Sequence, residues 1–505
     1  MYVDLRKPGI QILLKKNVGR TAVSGSVPIS GRYAGTGGVQ DITHFLSEHG
    51  SVRVTKSVRT GAGGFSIIFP DHIDRGILDT IYALIEPMDT IEIYMAGNAY
   101  EYVGAGLPIM MRGFVSKIQR QRGMSADGKP TRAVVVSGQD YGKILQILQT
   151  YNLPFGISVD AAVTNFPFFA RYGFSNKPMT VESFLQVVLD KIVNPYLAIM
   201  RQNPDGSANT QSPLLPLSLD CQNQGDQVSP FGVGGWNQGT MESLIKQFTD
   251  VGAWNECYIE DRIDAPYLVF RPNPYMDAST GAYIFSDLST APAIIQIDDS
   301  HIVTMSQERS DENVGNYYWV ESPRFLYNHG SVALAVAFQS GQAGGINTVV
   351  VDNYGNCNPA LYGTRKLEEM TQMAGGPELY NGMGLNGVAL PKAKSAALDW
   401  ITARREALIA LNKDNVVFEI GSMRVKGNEL IRAGTYVELS EGSSSANAAS
   451  LVSQYYIGDV THDYQPFGNY FTTGQFSRGT GFIERAQRAA SQFSPYYAEQ
   501  VRSGS

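Results

Sequence analysis

The sequence is poor in charge, in cysteine and in long apolar runs, and each shortage narrows what the chain can be. Asp, Glu, Lys and Arg make up 17% of 505 residues, and acids exceed bases to give a formal net charge of −7. A surface built to hold nucleic acid clusters Lys and Arg, and this balance argues against one. Only three cysteines occur, Cys221, Cys257 and Cys357, with no CxxC spacing. An odd count without a motif speaks against a disulfide framework and for a reducing compartment. No stretch approaches the ~18 to 20 apolar residues of a membrane helix, and the first residues lack the apolar core of a signal peptide. The expectation is a chain made and folded in the cytosol, with no membrane insertion.

What is abundant is glycine (52) and tyrosine (27), a composition that favours β-rich, turn-rich structure. Period-two alternation punctuated by Gly, Asp and Pro marks antiparallel strands. It is clearest between Met88 and Leu148: Asp89–Tyr94, Met110–Ile118 and Thr131–Ser137, followed by a helix from Ile144 to Gln149. The pattern recurs at Gly434–Leu439, Gln454–His462 and Tyr470–Arg478. Ile91 to Gly113 and Tyr436 to Gly458 have the same spacing of 22 residues. The repeat predicts one small β-domain present twice.

Taken in order, the chain divides into a first β-domain over 1–150 and a helical plus β-hairpin insertion over 151–292. A second β-domain follows over 293–484, with an inserted segment at about 321–391, and then a polar tail over 485–505. In the first domain, strands are expected at Ile10–Leu14, Ser51–Val58 and Phe65–Pro70, with a helix from Asp74 to Ile85. Lys15, Lys16 and Arg20 read as a solvated strand end, with contact to an acidic partner as the sharper alternative. The segment 18–40 is an extended arm or a long loop. In the insertion, Thr180 caps a helix carrying Phe184, Val187, Val188, Ile192 and Val193 on one stripe, perturbed by Pro195. A second helix runs from Thr240 to Val251, closed by Gly252, and a hairpin joins Glu256–Glu260 to Tyr267–Pro272. The longest helix is expected at Ala393–Leu411, with Arg405 snorkelling from its apolar stripe and Arg404 and Glu406 in solvent.

Candidate chemistry is thin. His44, His49, His72, His301, His329 and His462 form neither HExxH nor a finger spacing, so a metal site from His44, His49 and His72 has no motif behind it. His462-Asp463 supplies two parts of a hydrolase triad, but no GxSxG elbow accompanies it. Glu256, Glu260 and Asp261 could pair for glycoside hydrolysis, and more simply flank a hairpin. The Gly runs at 61–64, 232–235 and 341–345 lack the GK[ST] ending of a phosphate loop. The aromatic tract Phe166–Phe174 reads as core or interface. No catalytic residue, metal ligand or cofactor site is assigned, and the expectation is a protein that is not an enzyme and needs no cofactor.

Three stretches carry a family resemblance. The first is Asp89-Thr-Ile-Glu-Ile-Tyr, Arg112-Gly-Phe-Val-Ser-Lys-Ile and Val136-Ser-Gly-Gln-Asp-Tyr-Gly-Lys-Ile-Leu. The second runs from Ile297-Asp-Asp-Ser-His-Ile through Arg309-Ser-Asp to Asn316-Tyr-Tyr-Trp-Val. The third is Tyr455-Tyr-Ile-Gly-Asp-Val-Thr-His with Phe476-Ser-Arg-Gly. In order and spacing they resemble the baseplate hub proteins of contractile-tailed bacteriophages, whose relatives include Mu-type late tail proteins and the N-terminal part of type VI secretion spike proteins. The resemblance implies a mainly β fold with α+β insertions: two tail-tube-like antiparallel β-barrel domains plus the helical and hairpin insertion. It also implies a structural homotrimer in the virion tail baseplate, assembled in the host cytoplasm. Its six similar barrels would join a six-fold tail tube, or tube-initiator protein, to a three-fold central spike. Wedge and tape-measure proteins would be further partners, and DNA would pass through the lumen without specific binding. The acidic balance suits that passage. A polysaccharide hydrolase of the phage depolymerase kind is the alternative, favoured if two carboxylates face each other across a cleft. An outer-membrane β-barrel is the third reading, opposed by the missing signal peptide and the amphipathic helix near Trp400.

Overall fold

A computed structural model describes residues 6–16, 38–73, 80–124, 128, 130–151, 179–202, 214–223, 226–228, 238–272, 294–321, 355–371, 404–409, 411–440, 452–467 and 469–480, with a few shorter pieces.

The first β-region comprises β1 (Gly9–Lys16), β2 (Gly38–Asp41), β3 (Ser51–Ser57), β4 (Gly64–Pro70), β5 (Thr90–Ala96), β6 (Ile109–Met124) and β7 (Pro130–Asp140). Alternating residues of these strands build one core, with Ile12, Val52, Val54, Phe65, Ile67, Ile91, Ile93, Val134 and Val136 all buried, as a half-buried strand requires. A helical turn, α1 (Ile81–Leu84), supplies Ile81 and Leu84 to the same core. It is shorter than the helix expected over Asp74–Ile85, whose residues 74–79 lie outside the described set. Helix α2 (Gly142–Ile147) follows β7 directly.

In the insertion, α3 (Val181–Val188) is capped by Thr180, whose hydroxyl accepts from the Ser183 N–H at 3.2 Å. A wider π-type turn over Leu189–Val193 then leads into α4 (Asn194–Met200). Pro195 explains it, because a proline ring collides with the carbonyl four residues back. Strand β8 (Ser218–Cys221), helix α5 (Met241–Phe248) and the hairpin β9 (Asn255–Asp261) and β10 (Pro266–Pro272) complete the region. The hairpin is buried on both faces. Cys257, Ile259, Leu268 and Phe270 pack into the insertion core together with Tyr141 and Ile144. Tyr258 and Val269 pack instead into the core of the second β-region.

That second region comprises β11 (Ile294–Asp298), β12 (Ile302–Glu308), β13 (Glu419–Lys426), β14 (Tyr436–Ser440), β15 (Val452–Tyr464) and β16 (Tyr470–Thr480). Of the strands expected at Val416–Ile420 and Met423–Val425, residues 416–418 form a turn instead, and β13 begins at Glu419 and runs unbroken through Met423–Val425. Between β12 and β13, Tyr317–Glu321 pairs in parallel with Lys366–Met370. Of the long helix expected over Ala393–Leu411, residues 404–409 and 411 are described and helical. Arg404 is not solvated as expected. It is buried, pairs with Asp226 at 2.7 Å and lies over the Trp254 ring, so its charge is neutralised inside rather than hydrated.

Both β-regions belong to one 13-stranded sheet, in the order β12-β13-β16-β15-β3-β4-β7-β6-β5-β1-β2, with β14 on β15 and β11 on β14. The expected mainly β architecture is present, and the two expected β-domains fall in the two halves of this one sheet. No ladder among the described residues closes either half.

Candidate functional site: the seam between two copies of one sheet

Strand order shows the duplication directly. In the first half β3, β4, β7, β6 and β5 lie side by side; in the second half β12, β13, β16, β15 and β14 do. The two series rise in the same sequence order. Only the next position differs, since β1 runs antiparallel to β5 while β11 runs parallel to β14.

Three local features fix the correspondence residue by residue. A register shift falls between Val115 and Lys117 of β6, and one between Ile457 and Asp459 of β15. Such a bulge is a positioned feature, not a defect. Next to it, Met88 N–H donates to Val115 O and Val115 N–H to Asp89 O; Gly434 N–H donates to Ile457 O and Ile457 N–H to Thr435 O. Met88 and Gly434 share a left-handed backbone, φ 69° and 79°, which glycine adopts freely and methionine does not. Finally, Phe65 of β4 sits opposite Gly138 of β7, while Gly421 of β13 sits opposite Phe476 of β16. The aromatic side chain lies over the glycine in both copies, from opposite strands. The bulges equate Ser116 with Gly458, so the equal 22-residue spacing that equates Gly113 with Gly458 misplaces the register. The first copy has the longer connection before β6, through the turn Ala99–Tyr102.

The two copies meet where the distal half of β15 pairs antiparallel with β3, from Asp459 with Ser57 to Tyr464 with Val52. The cores interpenetrate there. Tyr464 and Tyr470 of the second copy pack in the first core, and Val58 of the first packs in the second. Burying one such side chain contributes about 1.5–3 kcal/mol. Glu429 reaches across, accepting from Gly97 N–H at 2.7 Å and from the Tyr102 hydroxyl at 2.6 Å.

Beneath the seam lies a buried ionic cluster. Lys56 Nζ is 2.5 Å from Asp140 Oδ2 and 2.8 Å from Asp261 Oδ2, and all three side chains are nearly inaccessible. Burial alone would lower the lysine pKa, but the two carboxylates outweigh it and hold it above the ordinary value. The Asp140 pKa is raised, chiefly by burial, against the pull of Lys56. Arg432 donates to Asp261 O and to Ile109 O, both at 3.0 Å. It thereby ties the second copy to the hairpin and to β6. Deeper in, Glu256 is held by Arg271 at 2.9 Å and by the Tyr456 hydroxyl.

The residues singled out for chemistry disperse. His462 and Asp463, adjacent on β15, point to opposite faces. His462 is buried against the Tyr470 hydroxyl at 2.9 Å, while Asp463 pairs with Arg53 at 2.6 Å across the seam. Glu256, Glu260 and Asp261 pair with Arg271, Arg262 and Lys56 respectively. His44 and His72 lie tilted against the Phe45 ring, at 4.3 and 6.5 Å between centroids, and no group of three or more metal-ligating side chains occurs among the described residues. Lys16, expected in solvent, is buried and held by Asp89 at 2.9 Å; Lys15 pairs with Glu92 at 2.7 Å. Arg20, the tract Phe166–Phe174 and the Gly runs at 232–235 and 341–345 lie outside the described residues. Burial pushes the Cys257 thiol up to about 12, so it is inert at neutral pH. No described helix is long and apolar enough to cross a membrane.

His462 gives the seam a pH dependence. Burial, and then the nearby Arg432 charge, lower its pKa from 6.5 to about 3. Between these values the unfolded chain binds a proton that the folded chain does not. The contribution is therefore complete above pH 6.5 and is lost as the pH falls toward 3. The expected slope from this group is at most about 1.4 kcal/mol per pH unit. Urea midpoints measured across that range should fall with acidification, and less steeply in His462→Gln. Parallel slopes in the two proteins would show that His462 is not the group responsible.

No protein-family model matches the sequence, and no curated protein matches it. Among solved structures, the fold is similar to phage tail proteins and to type VI secretion proteins. One is the tail protein from Neisseria meningitidis MC58, with 12% identity and a TM-score of 0.43, covering 93% of this chain and 96% of that one. Another is the 43 kDa tail protein of prophage MuSo2 from Shewanella oneidensis, with 10% identity and a TM-score of 0.44, covering 93% and 98%. A third is an E. coli component of the type VI secretion system, itself described as structurally similar to bacteriophage T4 tail proteins, with 9% identity and a TM-score of 0.34, covering 86% and 74%.

Proposed function

We propose that the protein is a structural baseplate hub of a contractile phage tail, a symmetry adaptor built as a homotrimer. The observation that supports this most is the duplication: two copies of one strand arrangement stand side by side in a single sheet, joined by the β15–β3 seam. Three chains with two copies each present six similar units, so one assembly can meet a six-fold tube on one side and a three-fold spike on the other. The tube or tube-initiator protein, the central spike, and wedge and tape-measure proteins are the partners this reading names. The virion tail is its place.

The solvent side of the sheet suits a conduit for DNA. It carries Thr55, Ser66, Ser137, Gln139, Thr461, Thr473 and Gln475 with charges of both signs: Arg53 paired with Asp463, the exposed Lys117, Arg424 and Lys426, and the acids Asp459 and Glu308. Hydroxyl and amide groups with few net positive charges give DNA little counterion release to drive binding. This face is close to charge-balanced, so the net acidity of the whole chain is not concentrated on it.

Light scattering on the purified protein tests the assembly. Three chains of 55.1 kDa predict a particle of about 165 kDa. A monomer at every concentration, alone and with a cognate tube or spike protein, would overturn the proposal.

A further inference from the structure

The strand correspondence assigns a partner to two sheet edges. Inside the chain, residues 459–464 of β15 pair on one side with β16 and on the other with β3. Their counterparts in β6 are residues 117–122, which pair with β7 on one side; no described strand lies on the other. The counterpart of β3 is β12, which pairs with β13 and ends the sheet, again with no described strand beyond it. The chain thus contains one seam of this kind and both halves of a second, at opposite ends of the duplicated arrangement.

We infer that these edges pair with each other between two copies of this chain: residues 117–122 of β6 in one protomer with β12 of the next. The inference rests on the trimeric reading and deepens it by naming the strands and register of the contact that closes the ring. Such a contact is head-to-tail, using a different surface on each partner, and it closes into a ring when the rotation allows.

The register follows from neighbours already in place. Ile118 lies opposite Val136 as Val460 lies opposite Gly474, and Gln307 lies opposite Gly421 as Val54 lies opposite Phe65. Within the chain, Thr461 meets Thr55, His462 meets Val54 and Asp463 meets Arg53. Between chains the same relation sets Gln119 against Glu308, Arg120 against Gln307 and Gln121 against Ser306. Glu308 then has Lys117 as its diagonal neighbour on the same face, an opposite-charge pair within reach. Lys117 and Arg122 also repel a second β6, which is how natural sheets keep an edge from pairing with itself, while Arg120 is held by Asp71 at 2.6 Å. Both edges are largely exposed, polar over 119–122 and 306–308, with Ile118 on one and Ile302 and Met305 on the other half-buried. The internal seam instead buries Val460, His462 and Tyr464. That difference suits one seam that forms on folding and another that forms between chains already soluble.

The test places cysteines at Gln119 and Glu308 in one chain, and treats the purified full-length protein with a short bismaleimide. Denaturing gels should shift most of the chain to two and three times its mass. The same treatment of wild type and of each single variant should leave the monomer band, since Cys257 and Cys357 are buried and Cys221 is half-buried. Arg120→Cys with Glu308→Cys, which puts the thiols on opposite faces, should cross-link far less. If the particle has trimer mass but Gln119→Cys/Glu308→Cys does not cross-link, this seam is wrong while the trimeric reading stands. A protein that is monomeric and does not cross-link overturns both.

Discussion

Replacing Lys56 with methionine is expected to lower the unfolding free energy by about 3–5 kcal/mol. The reason is not the loss of an attraction but what remains. Asp140 and Asp261 are each at most 1% exposed in their side chains, and without Lys56 two carboxylates stay buried with no cation between them. Asp140 keeps hydrogen bonds from Gly63 N–H and Gly142 N–H, which cannot cancel the charge. In the wild type, Lys56 has a raised pKa, so its contribution is fully present below the ordinary lysine value and is lost only in strong alkali. In the variant the deficit should shrink as the pH falls, because a carboxyl stripped of its lysine takes up a proton. Urea unfolding at several pH values reads both effects. Arg53→Ala is the comparison. It removes the Arg53–Asp463 pair, whose side chains are 65% and 29% exposed, and exposed pairs contribute about 0–1 kcal/mol. Equal losses in the two variants would show that the buried cluster is not what holds this region.

Replacing Gly138 with valine is expected to cost about 3 kcal/mol, the upper end of what overpacking costs. A Cβ at this position would lie 2.2 Å from Phe114 O and 2.4 Å from the Phe65 ring. The ring can turn away, but the carbonyl belongs to the β6–β7 ladder and cannot move without breaking it. Removing the ring as well, with Phe65→Ala, should therefore recover only part of the loss. The duplication extends the prediction to the second copy. Gly421→Val, facing Phe476 and 2.0 Å from Ser306 O, should be similarly damaging. Gly123 meets only the Thr131 hydroxyl, at 3.2 Å, so Gly123→Ala should be close to neutral. Thermal midpoints of the three variants rank them; a tolerated Gly138→Val would contradict the close approach of the β6 backbone to β7.

The strands and their repetition were legible because half-buried strands write their alternation into sequence. Ile91 with Ile93, and Val134 with Val136, carry that signal without tertiary context. The repeat was visible only in its last three strands. Their earlier partners were hidden, because 110 residues (309–418) separate β12 from β13 while β3 and β4 adjoin through a short turn. The correct register was not legible either. It depends on bulges at Ser116 and Gly458, and a bulge is a property of two strands together. The exchange of Phe65–Gly138 for Gly421–Phe476 conceals the likeness further, since each aligned position swaps the largest and smallest side chains. Lys16, Lys56 and Arg404 look like surface residues in sequence. Their burial follows from carboxylates at Asp89, Asp140, Asp261 and Asp226, all far along the chain. The seam was invisible for the same reason: nothing in residues 459–464 announces that their partner is 52–57.

If the chain is the hub we propose, its two equivalent units in each of three protomers close into a ring. Negative-stain class averages of the purified particle should then show six similar lobes around an open channel. Three lobes, or a compact particle with no channel in the trimer-mass fraction, would contradict the proposal.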